Sequence, residues 1–544
     1  MPDANLNAWW GRCLAEELER AGCRHIVGCP GSRNSPLLFA FAEVFGERLT
    51  MHTDERGAAF HAVGMAKILR APVAVCVTSG TAVANLLPAA CEADAAGVPL
   101  ILITADRPWE MQDCGAPQTM PQRGLFGVFA DSVEVGEPLA DPSIMAALRQ
   151  RLHDAVRGAR RPLHLNVPLR DPLPPIPSDW MAPLGGTFEQ VDRPVVRSTP
   201  PRVTSALVLQ RPARGVIVAG SAEAVPAALI HRLAIATGFP VLADATSGLR
   251  RPAIAHLACC PDALYGQPPG QPDIIIRVGP PPLTRAGYEW LGRQRCPQIV
   301  LGTSRNDDFL GTATARLVDP DTGAIEGLIA QLGRAEPAWT AAWCNGLPKV
   351  AGWNATAATA LVCQAAGFDL LWLASSMPIR DANLVLAPGP QSQRVLANRG
   401  VNGIDGTMAS FLGACRAGGR GLALIGDLSM LHDLNSLGLA DGLQGAVVVL
   451  NNGGGAIFDA LPVAQVPGYR QLIRTDHARE FSHAAALFGM PYVRCAGPRT
   501  LAEALACAAA QTMMSLIECD LRGIDGISAH RAALASVVGN QQTT

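Results

Sequence analysis

Short uninterrupted apolar runs, each followed by a helical pattern, recur through the chain: PVAVCVTSG at 72–80, PLILITADRP at 99–108, GVIVAG at 215–220, DIIIRVG at 273–279, GLALIGD at 421–427 and GAVVVLNN at 445–452. A strand with no polar alternation is buried on both faces, and helices between such strands cover a parallel sheet on both sides. The pattern therefore predicts an α/β fold with central, mainly parallel sheets. Further strands are expected in HIVGCP, LTMHTDE, PLHLNVP, PVLADAT, QIVLGTS, DLLWLASS, RVLANRG and MSLIECDL. TAVANLLPAACEADAAG reads as one helix, and a second carries Leu431, Leu434, Leu437 and Leu439. At about 150–200 residues per domain, 544 residues make roughly three domains. The alternation places them at 1–185, 200–335 and 356–544. A Pro-rich linker is expected near 175–202, and a weaker join around 336–355.

Hydrophobic residues make up 49% and charged residues 17%, which is ample for globular cores. The formal net charge of -2 argues against a nucleic-acid or membrane-surface binder, which needs a basic excess. Lysine occurs only at Lys67 and Lys349, so any anion site is expected to use guanidinium groups. The fifteen cysteines are scattered and form no CxxC, as expected for small buried thiols in a reducing cytosol. The N-terminal stretch lacks a basic-then-apolar pattern, and no uncharged apolar run reaches the ~18 residues of a membrane span. The expected setting is cytoplasmic.

Two strand ends in the last third carry the first chemical signal. GLALIGD ends at Asp427, GAVVVLNN ends at Asn452, and one helical segment joins them. A right-handed crossover puts both ends on one sheet edge, where α/β sheets bind ligands. Mg2+ takes about six oxygen ligands, commonly carboxylate, carbonyl, phosphate and water. Asp427, Asn452 and the backbone carbonyl of Gly454 are candidate ligands, and Ser429 at the helix start is a candidate phosphate contact. Either fragment alone is more often an ordinary Asx turn; the joined pair reverses those odds.

The first third adds an acid and a set of cations. LTMHTDERGAAF places Glu55 where a strand gives way to a helix, either as a helix-capping acid or as a functional one. TSGTAVAN forms a tight loop with Ser79, Gly80 and Thr81. Ser32 and Arg33 lie in CPGSRNSPL, Arg107 ends ITADRP, and Gln118 sits in the polar loop DCGAPQTMPQRG. Several arginines on one edge suit carboxylates, which the planar guanidinium binds in a bidentate way.

PGSRNSPL, HTDERGAAFHAVGMAK, TSGTAVANLLPA, ITADRP, DCGAPQ, NRGVNGIDG, GDLSMLHDLNSL and NNGGGAIFDALP occur in that order. Together they resemble the 2-succinyl-5-enolpyruvyl-6-hydroxy-3-cyclohexene-1-carboxylate (SEPHCHC) synthases of menaquinone biosynthesis, within the thiamine-diphosphate enzyme superfamily. The resemblance covers essentially the whole chain, and Gly-Asp-Leu-Ser in place of Gly-Asp-Gly is typical of that branch. It implies a transferase that decarboxylates 2-oxoglutarate and adds the succinyl carbanion to isochorismate. It also implies thiamine diphosphate with Mg2+ or Mn2+, and a homodimer or homotetramer with active sites between subunits. The three segments would be a pyrimidine-binding (PYR) domain, a middle domain and a diphosphate-binding (PP) domain.

Glu55, by resemblance, hydrogen-bonds the aminopyrimidine ring and is catalytic, together with Arg380 and Arg399. Ser79, Gly80, Thr81, Gln118, Ile404, Leu428, Ser429, Ile457 and Phe458 join Glu55 and the metal ligands Asp427, Asn452 and Gly454 around the cofactor. Ser32, Arg33, Arg107, Gln118, Arg285, Ser376, Arg380, Arg399, Phe458 and Leu461 are expected to serve the substrates. In LTRAGYEW, Arg285 stands where the family commonly has Lys, and Ala286 follows, so its role is open. A second enzyme reading is another thiamine-diphosphate 2-keto-acid lyase, of the acetohydroxyacid synthase or decarboxylase type. A different class, a non-catalytic α/β binding protein, is weakened by the presence of both Glu55 and Asp427 and by the lack of a complete GxGxxG after an early strand.

Overall fold

The computed structural model describes residues 3–173, 209–220, 225–302, 308–344 and 346–540; the expected linker near 175–202 lies outside them. The described residues form three sheets, and their pairings run parallel. The first sheet contains β1 (Ile26–Gly28), β2 (Leu49–Met51), β3 (Val73–Val77), β4 (Leu100–Asp106), β5 (Asp131–Glu134) and β6 (Leu163–Pro168), in the order β2-β1-β3-β4-β6-β5. The second contains β7 (Gly215–Ala219), β8 (Val241–Ala243), β9 (Ile274–Val278), β10 (Gln298–Gly302) and β11 (Ala315–Val318), in the order β11-β10-β9-β7-β8. The third contains β12 (Leu370–Leu373), β13 (Arg394–Leu396), β14 (Gly421–Gly426), β15 (Gly445–Asn451), β16 (Tyr492–Cys495) and β17 (Met514–Asp520), in the order β13-β12-β14-β15-β17-β16. Residues of β3, β4, β9 and β15 are buried throughout, as uninterrupted apolar runs require.

Each sheet has a point where the chain connections leave two neighbouring strands in opposite directions, and there the loops after those strands diverge to leave a crevice. In the first sheet this falls between β1 and β3, in the third between β12 and β14, and in the second between β7 and β9. In the second, the residues that follow β7 and β9 come into close contact: a Cβ on Gly220 would lie 2.1 Å from the carbonyl oxygen of Pro280, in the Pro-rich turn GPPPLT.

Two compact units emerge. One comprises Met1–Arg197, Asn398–Gly421 and Ser429–Gln444; the other Ser198–Ala397, Leu422–Leu428 and Gly445–Thr544. In the first unit, the helices Glu55–Leu69 and Thr407–Gly418 pack almost backbone to backbone. A Cβ on Gly64 would fall 1.9 Å from Ser410 O, and one on Gly413 would fall 2.0 Å from His61 O. The small residues of these helices are what permit that approach.

Two expected helices differ in detail. TAVANLLPAACEADAAG breaks into Thr81–Ala84 and Leu87–Ala96, because Pro88 can begin a helix but not continue one. The segment after β14 is a six-residue α-helix, Asp427–His432, followed by a 3₁₀ stretch, Leu434–Leu439. The break falls at buried Asp433, whose carboxylate accepts Ser436 Oγ at 2.9 Å and Ala409 N at 2.9 Å. Only Leu437 and Leu439 of the four leucines are fully buried.

Candidate active site

In the first unit, the chain after β2 turns into a helix capped by Asp54, whose Oδ1 accepts Arg56 N at 3.0 Å and Gly57 N at 3.2 Å. Capping thus falls to Asp54, and the neighbouring Glu55 is half-buried. Glu55 Oε2 accepts a long hydrogen bond from Asn85 Nδ2 at 3.4 Å. Glu55 occupies the first turn of the helix without making the cap hydrogen bonds.

The crevice between β1 and β3 gathers most of the expected first-third residues. Gln118 takes a left-handed conformation, φ 56°, and clasps the Ser79 peptide. Its Nε2 donates to Ser79 O at 3.0 Å, and Ser79 Oγ donates to Gln118 O at 3.1 Å. Gly80 has φ 81°, and a Cβ there would touch Gln118 Cγ at 3.0 Å, so the loop needs glycine. Thr81 begins the next helix. Arg107 donates to Ser79 Oγ. Arg33 is buried, and its Nη1 donates to Leu169 O at 2.8 Å and Asp171 Oδ2 at 3.0 Å. The Nε atoms of Arg33 and Arg107 are both buried without a hydrogen-bond partner. Burial, and then the nearby Arg33 charge, lower the Arg107 pKa. The two guanidinium groups lie close together and partly desolvated, with Asp171 and Asp106 offsetting part of their charge. Ser32 is exposed on the same loop as Arg33.

Sequence reasoning missed the support beneath this loop. Gln122 Oε1 accepts Gly80 N at 3.0 Å, and Gln122 Nε2 donates to Asn166 Oδ1 at 2.9 Å. Asn166 Nδ2 donates to Asp106 Oδ2 at 2.8 Å, and Asp106 Oδ1 accepts Arg107 N at 2.7 Å. A cavity of about 280 Å³, lined by Arg107, Gln112, Gln122 and Asn166 among others, opens beside this chain of bonds. These residues are spread over 60 positions and show no motif.

Also in the first unit, Ile404 is part-exposed, and its carbonyl accepts Ser429 Oγ at 3.2 Å and Thr407 Oγ1 at 3.0 Å. Arg399 is half-buried in the loop that precedes it.

In the second unit, β14 and β15 are neighbours and their ends do meet. Asp427 Oδ2 accepts Gly453 N at 2.8 Å and Gly454 N at 3.0 Å, while Oδ1 accepts Leu428 N at 2.7 Å. Burial raises the Asp427 pKa, opposed by these N–H groups and by His477, whose Nε2 lies 3.5 Å away. Beside it, Asn452 Oδ1 is buried with no hydrogen-bond partner. A desolvated carboxylate next to an unsatisfied amide oxygen fits a hard divalent cation that takes oxygen ligands. Among the described residues no cluster of three or more His, Cys, Asp and Glu side chains could hold a metal. The glycine loop is held from outside: Arg474 O accepts Gly455 N at 2.7 Å, and His477 N donates to Gly453 O at 2.9 Å. Arg474 and His477 were not expected from sequence, because only the fold brings them to the loop.

Ser376, at the other lip of the β12–β14 crevice, has φ 81° and ψ −138°, a conformation L-residues rarely take and one found at functional turns. Its carbonyl accepts Arg380 Nη1 at 2.5 Å, and burial lowers the Arg380 pKa. Ile457 and Phe458 are half-buried after the glycine loop, and Leu461 is exposed. Arg285 stands apart, its side chain 79% exposed and paired with Glu289 at 2.6 Å.

Parallel sheets, a glutamate at a strand–helix junction, and Asp427 bonded to a glycine turn beside Asn452 point to the thiamine-diphosphate enzymes as the class. The family model described as thiamine pyrophosphate enzyme, N-terminal TPP binding domain, matches residues 9–125. Similar curated proteins are named 2-succinyl-5-enolpyruvyl-6-hydroxy-3-cyclohexene-1-carboxylate synthase. That of Myxococcus xanthus is 37% identical, covering 92% of this chain and 92% of the relative. That of Rubrobacter xylanophilus is 37% identical over 98% and 99%, and that of Geobacillus thermodenitrificans 36% over 92% and 90%. The chain belongs to this SEPHCHC synthase family, and membership implies thiamine diphosphate with a divalent metal ion as cofactors. In fold it is similar to a solved benzoylformate decarboxylase from Polynucleobacter necessarius, with TM-score 0.70 at 15% identity, covering 94% of this chain and 98% of that one.

Proposed function

We propose that this chain decarboxylates 2-oxoglutarate and adds the resulting succinyl carbanion to isochorismate, giving SEPHCHC and CO2. The observation that carries the reading is the guanidinium pair of Arg33 and Arg107 at the first crevice, with Arg380 beside strained Ser376 in the other unit. Both substrates carry two carboxylates, and guanidinium groups match them. A pyruvate-type lyase has less need of such a set. In the reading proposed, residues 1–185 are the pyrimidine-binding domain, 200–335 the middle domain and 356–544 the diphosphate-binding domain.

When bound, thiamine diphosphate supplies the electron sink that lets a 2-oxo acid lose CO2. The protein supplies the rest. Glu55, relieved of capping by Asp54, holds a proton at the pyrimidine ring. Asp427, Asn452 Oδ1 and the Gly454 carbonyl hold Mg2+ or Mn2+. Leu428 and Ser429 bring the helix start to the diphosphate. Ser79, Gly80, Thr81 and Gln118 shape the pyrimidine side, and Ile404 props the cofactor. Arg33, Arg107, Arg380 and Arg399 orient substrate carboxylates with Ser32 and Ser376. Ile457, Phe458 and Leu461 exclude water. Arg285 can serve only by leaving Glu289.

We place the enzyme in the cytoplasm as a homodimer or homotetramer, with each active site shared between subunits. All fifteen cysteines are free thiols, which suits a reducing compartment. No described helix is long and apolar enough to cross a membrane. Mixed assembly of Glu55→Gln and Asp427→Ala chains tests the shared site. Random pairing should restore about a quarter of the wild-type rate, because half the dimers are mixed and each carries one intact site. No recovery would place both residues of each site in one chain. For the reaction itself, 2-oxoglutarate plus isochorismate should be consumed far faster than pyruvate; the reverse order would favour the lyase reading.

A further inference from the structure

Of the 44 lysines and arginines in the chain, only two are lysine, and one of them is nearly buried. Lys67 has a 10% exposed side chain, and Glu92 beside it is 2% exposed. Lys67 Nζ lies 3.4 Å from Glu92 Oε1 and donates to Asn398 Oδ1 at 2.8 Å. Glu92 also accepts two backbone N–H groups, Gly400 N on Oε1 at 2.9 Å and Val401 N on Oε2 at 2.8 Å. Asn398 Nδ2 continues the chain to Ser410 Oγ at 2.9 Å, which donates to Phe60 O at 3.1 Å. All of these residues belong to one compact unit.

The bonds fall on both sides of one residue. Asn398 precedes Arg399, while Gly400 and Val401 follow it. The turn also sits hard against its support: a Cβ on Gly400 would lie 2.6 Å from Glu92 O and 2.9 Å from Ala95 Cβ. A buried ion pair is a poor source of net stability, because desolvation offsets most of its attraction. One that grips two backbone amides of a loop fixes that loop's position. Lysine suits the place better than arginine, since a compact ammonium fits between one carboxylate oxygen and one amide oxygen.

We infer that Lys67 and Glu92 are positioning residues that hold the Asn398–Val401 turn so that Arg399 meets a substrate carboxylate. The inference rests on the reading of Arg399 as substrate-binding. Neither side chain is assigned contact with substrate or cofactor; both act through Arg399.

A double-mutant cycle on kcat/KM tests this, using the holoenzyme with both substrates. Glu92→Gln leaves one amide unaccepted and Lys67 uncompensated, and should lower kcat/KM about tenfold or more, mainly through KM of one substrate. Lys67→Arg should do the same although it keeps the charge. Half-saturation by thiamine diphosphate should not move. In an Arg399→Ala background each change should have less than about a twofold effect, because its route of action is gone. Equal effects in both backgrounds would overturn the inference and leave the pair a structural element. An Arg399→Ala enzyme with unchanged kcat/KM would overturn it as well. If Glu92→Gln fails to fold, Gly400→Ala keeps both charged side chains and displaces the same turn by pressing on Glu92 and Ala95, and is read in the same cycle. Failure of the functional reading looks different: the wild-type enzyme itself would then form no product from the two substrates.

Discussion

Asp54 and Glu55 are adjacent acids, and the structure separates them. From the sequence only Glu55 is read as a capping acid; the two N–H bonds go to Asp54 instead. Glu55→Gln should bind thiamine diphosphate nearly as tightly as wild type while losing at least about 10²-fold in turnover, the usual weight of a proton-transfer group. Turnover within a fewfold of wild type would remove Glu55 from its assigned role. The meeting of the strand ends at Asp427 and Asn452 was legible in the sequence, whereas the unsatisfied state of Asn452 Oδ1 was not. Asp427→Ala and Asn452→Ala should both raise the Mg2+ concentration needed for cofactor binding. Asn452→Ala should leave the metal-free melting temperature unchanged, because its oxygen makes no hydrogen bond to lose. Calorimetry with and without Mg2+ reads both quantities. Lys67 and Glu92 offered one faint sequence signal, a lysine in a chain that otherwise uses arginine.

Among elements, the strands predicted from apolar runs all formed, and those missed share a physical reason. β5, β11 and β16 each lie at the edge of a sheet and present mostly exposed or half-buried residues. An edge strand in partial contact with water needs no apolar run, so DSVE, ARLV and YVRC carry little signal. The Thr407 helix, packed against the Glu55 helix through Gly64 and Gly413, has a consequence for pH. His61 is fully enclosed there, and burial, aided by the Arg416 charge, pushes its pKa down to about 3. His25 is lowered to about 4, burial again leading. Unfolded histidine takes up a proton near pH 6.5, while these folded rings stay neutral well below that. Stability should therefore be full above about pH 6.5 and fall as pH drops toward 4, by up to about 1.4 kcal/mol per pH unit per histidine. Denaturant unfolding of wild type and His61→Gln across that range tests this. The variant should show the shallower slope, and an equal slope would mean that His61 is not the group responsible.

For the molecule as a whole, three parallel sheets were legible because burial on both faces leaves a direct trace in the sequence. The crevices were not, since they depend on strand order, and strand order is set by contacts between distant segments. The first and third sheets have theirs lined with polar loops. The candidate residues lie there: Ser32, Arg33, Ser79 and Gly80 at one, Ser376 and Asp427 at the other. That distribution and the family membership converge on one carboligation. The direct measurement is mass spectrometry of the products formed from 2-oxoglutarate and isochorismate, with and without thiamine diphosphate and Mg2+. SEPHCHC should appear with one CO2 released per molecule, and only when both cofactors are present. CO2 released from pyruvate, with no adduct from the paired substrates, would contradict the assignment.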